Sequence, residues 1–386
     1  MTRDFGTGPL AEAVRLVRAR AVPAQLCVIQ DDRIILDLAV NCRPDDLFWL
    51  FSTSKPFVAL LVHRLAEQDV IGLDRPVAAY WPEFGQRGKD GITVRHVLQH
   101  RSGLPVIKGS GSLGALGDAL AMTGWERSVR NIERATPRHP PGGGPAYHFV
   151  SYGFILGELV QRVTGTPLRE VLDRAFLTPL QLTDTHLGLP PRLWSRHVGV
   201  RGEGPPGRIT QAVANRRATR QAIIPAAGIS ATARDVARFY RALLRGGELD
   251  GVRVLRPDTI AEAVRPSSNG ELDQFLQLRI RWSHGFQLGG PVPGRVTSHP
   301  MGDSSGRETF GHNGSNACVA WADPARRLAV AYLTGQIPAG LDRARHPSQV
   351  SDAILAACPR VAAHRRYPSL TMSSRKGGTA AQHDQE

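Results

Sequence analysis

Hydrophobic positions return at two periods along the chain, and their order predicts a mixed architecture. Between residues 9 and 20, Leu10, Val14 and Val17 recur at helical spacing, which predicts a helix. Two β-type runs follow, "AQLCVIQ" and "RIILDLAV", and Asp31 with Asp32 between them predicts a hairpin turn. Further on, Val58, Leu61, Val62 and Leu65 form one apolar stripe. Tyr152, Ile155, Leu156, Leu159, Val160 and Val163 form another, with Gly165 as its stop. Strand signals come back late, in "WSHGFQLGG", "ACVAWA" and "LAVAYLTG". The last two are joined by "DPARR", and a helix over 348–358 closes the pattern.

Strands at both ends with helices between them imply that the two ends build one sheet. The predicted fold class is therefore α+β: an antiparallel sheet flanked by terminal helices, with an all-helical insertion. Residues 1–75 and 226–364 are assigned to the sheet and 76–225 to the insertion, whose Pro/Gly punctuation includes "HPPGGGPAY" and "GEGPPG". Residues 365–386 are polar and aperiodic, and are expected to be a disordered tail.

Composition narrows the function classes. With 386 residues and 41% hydrophobic content the chain can bury a normal core. It contains no apolar run of about 18 residues and no secretory leader pattern, so a cytoplasmic protein without a membrane span is expected. Cys27, Cys42, Cys318 and Cys358 form no C-x-x-C pair and are expected to be free buried thiols. The net charge of +14 could suggest nucleic acid. The arginines are dispersed without interleaved aromatics, so no specific nucleic-acid partner is expected. Without an H-E-x-x-H motif or a Cys/His ligand cluster, neither a metal nor an organic cofactor is implied.

Of the 48 basic residues only four are lysine, at 55, 89, 108 and 376. Lys55 stands three residues after Ser52, at the head of the first apolar stripe, and residues three apart share a helix face. Pro56 is compatible only with the start of that helix. Ser52 is thereby predicted at a helix N-terminus, where the dipole favours negative charge on its oxygen. A desolvated lysine beside it has a lowered pKa and can activate the hydroxyl as a nucleophile. The spacing alone is weak, since Ser373 and Lys376 repeat it in the polar tail. Gly302-Asp-Ser304-Ser-Gly306 matches a nucleophile elbow without the strand and helix the elbow needs. Gly109-Ser-Gly111-Ser-Leu-Gly114 matches a nucleotide-binding pattern without a βαβ setting, and is read as a flexible loop.

Taken in order, these segments resemble the serine β-lactamase and penicillin-binding-protein superfamily, in the branch of class C β-lactamase-like enzymes and related carboxylesterases. Ser52 with Lys55 carries the resemblance, together with "TVRHVLQHRSGLP" (93–105) and "GISATARDVARFYRALLRGGELDGVRVL" (228–255). In the latter, Thr232 and Asp235 have the spacing of a capping box.

The resemblance implies that Tyr147 stands beside Ser52 and Lys55 and relays a proton. His312-Asn313-Gly314 takes the place of the family's third element, so His312 would line the site and Gly314 would let substrate lie against a strand. The N–H of Ser315 would pair with that of Ser52 as an oxyanion hole. Phe149 occupies the position where the family carries a polar residue that binds a lactam or peptide amide, which turns the expectation towards esters. The implied activity is a carboxylesterase-type serine hydrolase acting on a small-molecule ester or amide. β-Lactamase, D-amino-acid peptidase and acyltransferase activity remain alternatives, as does a silent binding protein holding an anionic partner. The oligomeric state is left open.

Overall fold

A computed structural model describes residues 8–107, 111–292, 294, 299–339 and 345–361. The Ser373/Lys376 pair and the expected tail, 365–386, lie outside the described residues.

Helix α1 (Ala11–Ala19) leads into strands β1 (Ala24–Gln30) and β2 (Arg33–Val40), the predicted hairpin. Asp31 and Asp32 turn it with φ of +49° and +66°. Short polar side chains tolerate that left-handed region better than most. Five further strands complete the sheet: β3 (Arg281–Trp282), β4 (Gln287–Leu288), β5 (Phe310–Gly314), β6 (Cys318–Asp323) and β7 (Leu328–Thr334). Their spatial order is β2-β1-β7-β6-β5-β4-β3, antiparallel throughout. The two ends of the chain therefore meet at the β1/β7 pair, as the late strand signals predicted.

Both sheet faces are covered, which explains why its central strands read as continuous apolar runs. On β7, Leu328, Val330 and Tyr332 join a cluster with Val14 and Val17 of α1 and with Val350 and Ile354 of the last helix, Arg345–Ala357. Ala329, Ala331 and Leu333 alternate with them and face the larger core on the other side. The helix Ala233–Leu244 packs there; the small Ala320, Ala322, Ala329 and Ala331 side chains let it approach closely.

The middle of the chain is mainly helical but adds two short strands. Thr185–Leu187 pairs with Ile229–Ala231, which in turn pairs with Phe48–Trp49; Arg201–Gly202 pairs with Gln336–Ile337. Expected as purely helical, the region gains these strands because neighbouring segments supply the missing ladder partners, which hydrophobic periodicity does not register. The capping box at Thr232 is half formed. Its hydroxyl accepts from Asp235 N at 3.3 Å, whereas the Asp235 carboxylate reaches across to Asp184 N and Thr185 Oγ1 and so ties the short strand down. Residues from Gly111 to Ala121 are helical rather than the expected glycine-rich loop. Cys27, Cys318 and Cys358 are buried and free, and Cys42 is half-buried. Among the described residues no helix is long and apolar enough to cross a membrane.

Two helices frame the site: Lys55–Glu67 and Ser151–Thr164, the second ending at Gly165 with φ +63° as predicted. At Gly153 a Cβ would lie 2.3 Å from Ala226 N, a main-chain atom. Gly153→Ala should cost about 1–3 kcal/mol by forcing that backbone aside. A denaturant titration with an unchanged midpoint would contradict the contact.

Candidate active site

Ser52 is presented by a strained turn. Phe48–Trp49 is held as a strand by Ile229–Ala231, and Leu50 N donates to Ile229 O at 2.9 Å. Phe51 then takes φ +49°, a conformation costing roughly 1–2 kcal/mol in a side chain of this kind. A 3₁₀ turn, Phe51–Ser54, runs straight into the α-helix that starts at Lys55, with Pro56 in its first turn. The serine thus lies just ahead of the helix proper, half-buried, at the end where helix N–H groups lack intrahelical acceptors.

Lys55 is 1% exposed. Its Nζ lies 3.1 Å from Ser52 Oγ, 2.8 Å from the Phe149 carbonyl oxygen and 3.4 Å from that of Ala226. Desolvation alone pushes its pKa well below the ordinary lysine value, as expected where only neutral groups are in reach. Tyr147 stands beside both, its ring centroid 4.6 Å from Lys55 Nζ and its hydroxyl donating to Ser52 Oγ at 2.6 Å. Burial raises the phenol's pKa, so it stays protonated.

The third wall is strand β5. Thr53 Oγ1 donates to the carbonyl oxygens of His312 on β5 and Cys318 on β6, both at 3.3 Å, and so stitches the two strands to the serine turn. A Cβ on Gly314 would come within 2.2 Å of Leu50 O and 2.9 Å of Thr53 Oγ1. Glycine is therefore required for the strand to lie against the turn, not only for a substrate to pass. Ser315 and Asn316 follow with φ of +53° and +55°, and the Ser315 side chain is exposed. His312 is buried with its pKa pushed down to about 3. Its Nδ1–H donates to Asn313 O at 2.9 Å, leaving Nε2 a buried acceptor with no partner among the described residues. Its ring lies 6.3 Å from that of Tyr147.

The structure thus brings together Ser52, Lys55, Tyr147, His312 and Gly314. Phe149 contributes twice: its carbonyl holds Lys55, and its half-buried ring packs beside Tyr147, Ile280 and Trp282. Ser304 belongs elsewhere. It is exposed, and both its N and Oγ bond the Asp352 carboxylate of the C-terminal helix.

Sequence reasoning missed three neighbours. His100 packs against the rings of Tyr147, Tyr152 and Trp282. Trp282 stacks on Tyr147 at 5.5 Å, and Asp273 bonds both of those residues. His100 and Trp282 stood inside segments already singled out. Nothing in the sequence around Asp273 signals its position.

A half-buried serine beside a buried lysine, with a tyrosine hydroxyl on its Oγ, stands against a strand of an antiparallel sheet, an arrangement that suits a serine hydrolase. The chain belongs to the Beta-lactamase family, whose family model matches residues 11–353. It is 30% identical over 322 residues to the esterase/β-lactamase LipL of Mycobacterium tuberculosis, covering 75% of this chain and 69% of that protein. A penicillin-binding-protein homologue from Caulobacter crescentus superposes with a TM-score of 0.76 at 27% identity, over 91% of this chain and 98% of that one. A family VIII carboxylesterase superposes with a TM-score of 0.75 at 26% identity, over 89% and 96%.

Two outcomes follow from this geometry. Loss of the Lys55 proton makes its lone pair available, so kcat/KM should rise with pH along a limb well below the ordinary lysine range. A limb that rises only at the ordinary lysine value would contradict it. Gly314→Ala should lower turnover by at least about a hundredfold, because strand and turn must separate; near-normal turnover would show that they need not touch.

Proposed function

We propose that the protein hydrolyses small carboxylic esters through an acyl-enzyme on Ser52, in a cleft between the sheet part (1–75 and 226–364) and the middle part (76–225). The observation that carries this reading is the hydrogen-bond chain through Ser52 Oγ, with Tyr147 Oη at 2.6 Å and Lys55 Nζ at 3.1 Å. A neutral amine has two N–H donors and one lone pair. Around Lys55 the two carbonyls of Phe149 and Ala226 match the donors, and the lone pair is left for the Ser52 hydroxyl. Tyr147 already donates to the same oxygen, so the serine's own proton is directed to the lysine.

In acylation, Ser52 Oγ bonds to the ester carbonyl carbon as its proton passes to Lys55. The oxyanion forms beside the N–H groups of Ser52 and Ser315, an arrangement that typically supplies about 3–4 kcal/mol. As the C–O bond to the alcohol breaks, Tyr147 delivers a proton to the leaving oxygen and is reprotonated from the Lys55 ammonium. Water then enters by the same steps in reverse roles, releasing the acid and restoring Ser52. His312 Nε2, a buried acceptor, would take a hydrogen bond from the alcohol or the entering water.

Phe149 supports esters over lactams. Its side chain cannot hydrogen-bond an amide, and it joins an apolar wall beside Tyr147. The names of the relatives agree with that choice: LipL is called an esterase as well as a β-lactamase, and a superposed structure is a carboxylesterase.

A fluorophosphonate probe should label Ser52 in the wild type and leave Ser52→Ala unlabelled. A short-chain nitrophenyl ester should turn over far faster than a chromogenic cephalosporin. Tyr147→Phe should retain the fold and lose at least about a hundredfold in rate. Labelling that survives Ser52→Ala rejects the nucleophile, preferential cephalosporin turnover rejects the ester assignment, and near-normal rates in Tyr147→Phe reject the relay.

A further inference from the structure

Asp273 is fully buried, and four N–H groups converge on its carboxylate. Oδ1 accepts from the main-chain N–H of Phe275 at 3.0 Å and of Leu276 at 2.9 Å. These are local bonds of the kind any turn-forming aspartate makes, and alone they would mark a loop former. The other two reach away from the loop. Oδ1 also accepts from Tyr147 N at 3.0 Å, and Oδ2 from Trp282 Nε1 at 3.1 Å. The Trp282 indole lies on the Tyr147 ring, with centroids 5.5 Å apart and planes inclined by 16°. One carboxylate therefore holds both the main chain of Tyr147 and the plate its phenol rests on.

That arrangement leaves the phenol few ways to turn. Its main chain is fixed by Oδ1, one ring face by the indole, and its hydroxyl lies 2.6 Å from Ser52 Oγ. Gln274 N donates to Pro145 O at 2.8 Å, so the Asp273 loop is also anchored to the segment that carries the tyrosine. A small rotation of the indole would swing the hydroxyl off the serine, and misplacement of about 1 Å at a reacting group costs on the order of a hundredfold in rate.

We propose that Asp273 is a positioning residue for the Tyr147 phenol, acting through the Trp282 indole as well as through the Tyr147 main chain. This rests on the reading of Tyr147 as the proton relay to Ser52. Asp273 touches no substrate; its effect passes through the two aromatic rings.

A double-mutant cycle tests the link. Asp273→Asn keeps an oxygen for the main-chain donors but can turn its NH₂ towards the indole N–H, two donors face to face. Trp282→Phe keeps a ring on Tyr147 and removes the indole donor. On the nitrophenyl ester, each single variant should lower kcat about tenfold or more with KM changed less than about twofold. Adding Asp273→Asn to Trp282→Phe should cost little more, because the clash is gone.

Indole ¹⁵N–¹H spectra give a readout independent of turnover. The signal that disappears in Trp282→Phe should move upfield in Asp273→Asn as it loses a charged acceptor. Should Asp273→Asn not fold, Trp282→Phe carries the test alone, and wild-type kcat there overturns the proposal. So does an equal loss from Asp273→Asn in both backgrounds, or an unmoved indole signal. Turnover independent of Ser52 would overturn the hydrolase reading itself. Ser52-dependent turnover that is indifferent to Asp273→Asn overturns only the positioning role.

Discussion

The burial of Lys55 with no counter-charge beside it among the described residues is the constraint on which the site depends. An ammonium taken out of water is costly unless an anion accompanies it, and a lysine so placed sheds its proton instead. Here the hydrogen-bonding groups that Nζ meets among the described residues are two main-chain carbonyls and one hydroxyl, with the Tyr147 ring 4.6 Å away. That set suits an amine: two acceptors for two N–H bonds, and a hydroxyl for the lone pair. A carboxylate in the same place would hold the lysine charged and silence it as a base.

Much of the surrounding architecture can be read as what brings those acceptors into place. Ala226 O comes within reach because the helix Ser151–Thr164 carries glycine at 153, where any side chain would strike the Ala226 main chain. Phe149 O is presented just before the same helix, with its N–H tied to Pro105 O at 2.8 Å. Ser52 is brought over the lysine by a turn that accepts a left-handed Phe51 and is clamped by Thr53 to strands β5 and β6. The short strand trio, sparse in sequence signal, anchors the stretch leading into that turn.

Legibility followed the range of the interactions. The hairpin at 24–40, the terminal helices, the late strands and the stop at Gly165 rest on local periodicity and turn chemistry, and are found where the pattern put them. The two short strands of the middle region were not legible, because a two- or three-residue strand exists only through its partner. In the site, Ser52 and Lys55 were legible from one helical turn. Tyr147, His312 and Gly314 became so only by resemblance to a family, since their proximity is made by the fold. Phe149 was read for its ring, and its main-chain role was invisible. Asp273 had no signal at all: beyond two local main-chain N–H groups, its partners are a main-chain N–H 126 residues away and an indole whose stacking no pattern encodes.

The scarcity of lysine makes the central claim directly measurable. With only four lysines in the chain, selective ¹⁵N labelling gives a side-chain spectrum of four signals whose pH titrations can be followed one by one. The signal that vanishes in Lys55→Met should belong to an amine that takes up its proton only well below the ordinary lysine pKa. It should persist in Lys89→Arg, since burial also lowers the Lys89 ammonium, to about 8. A Lys55 signal that titrates at the ordinary lysine value would mean a charged ammonium beside Ser52, and would contradict the account.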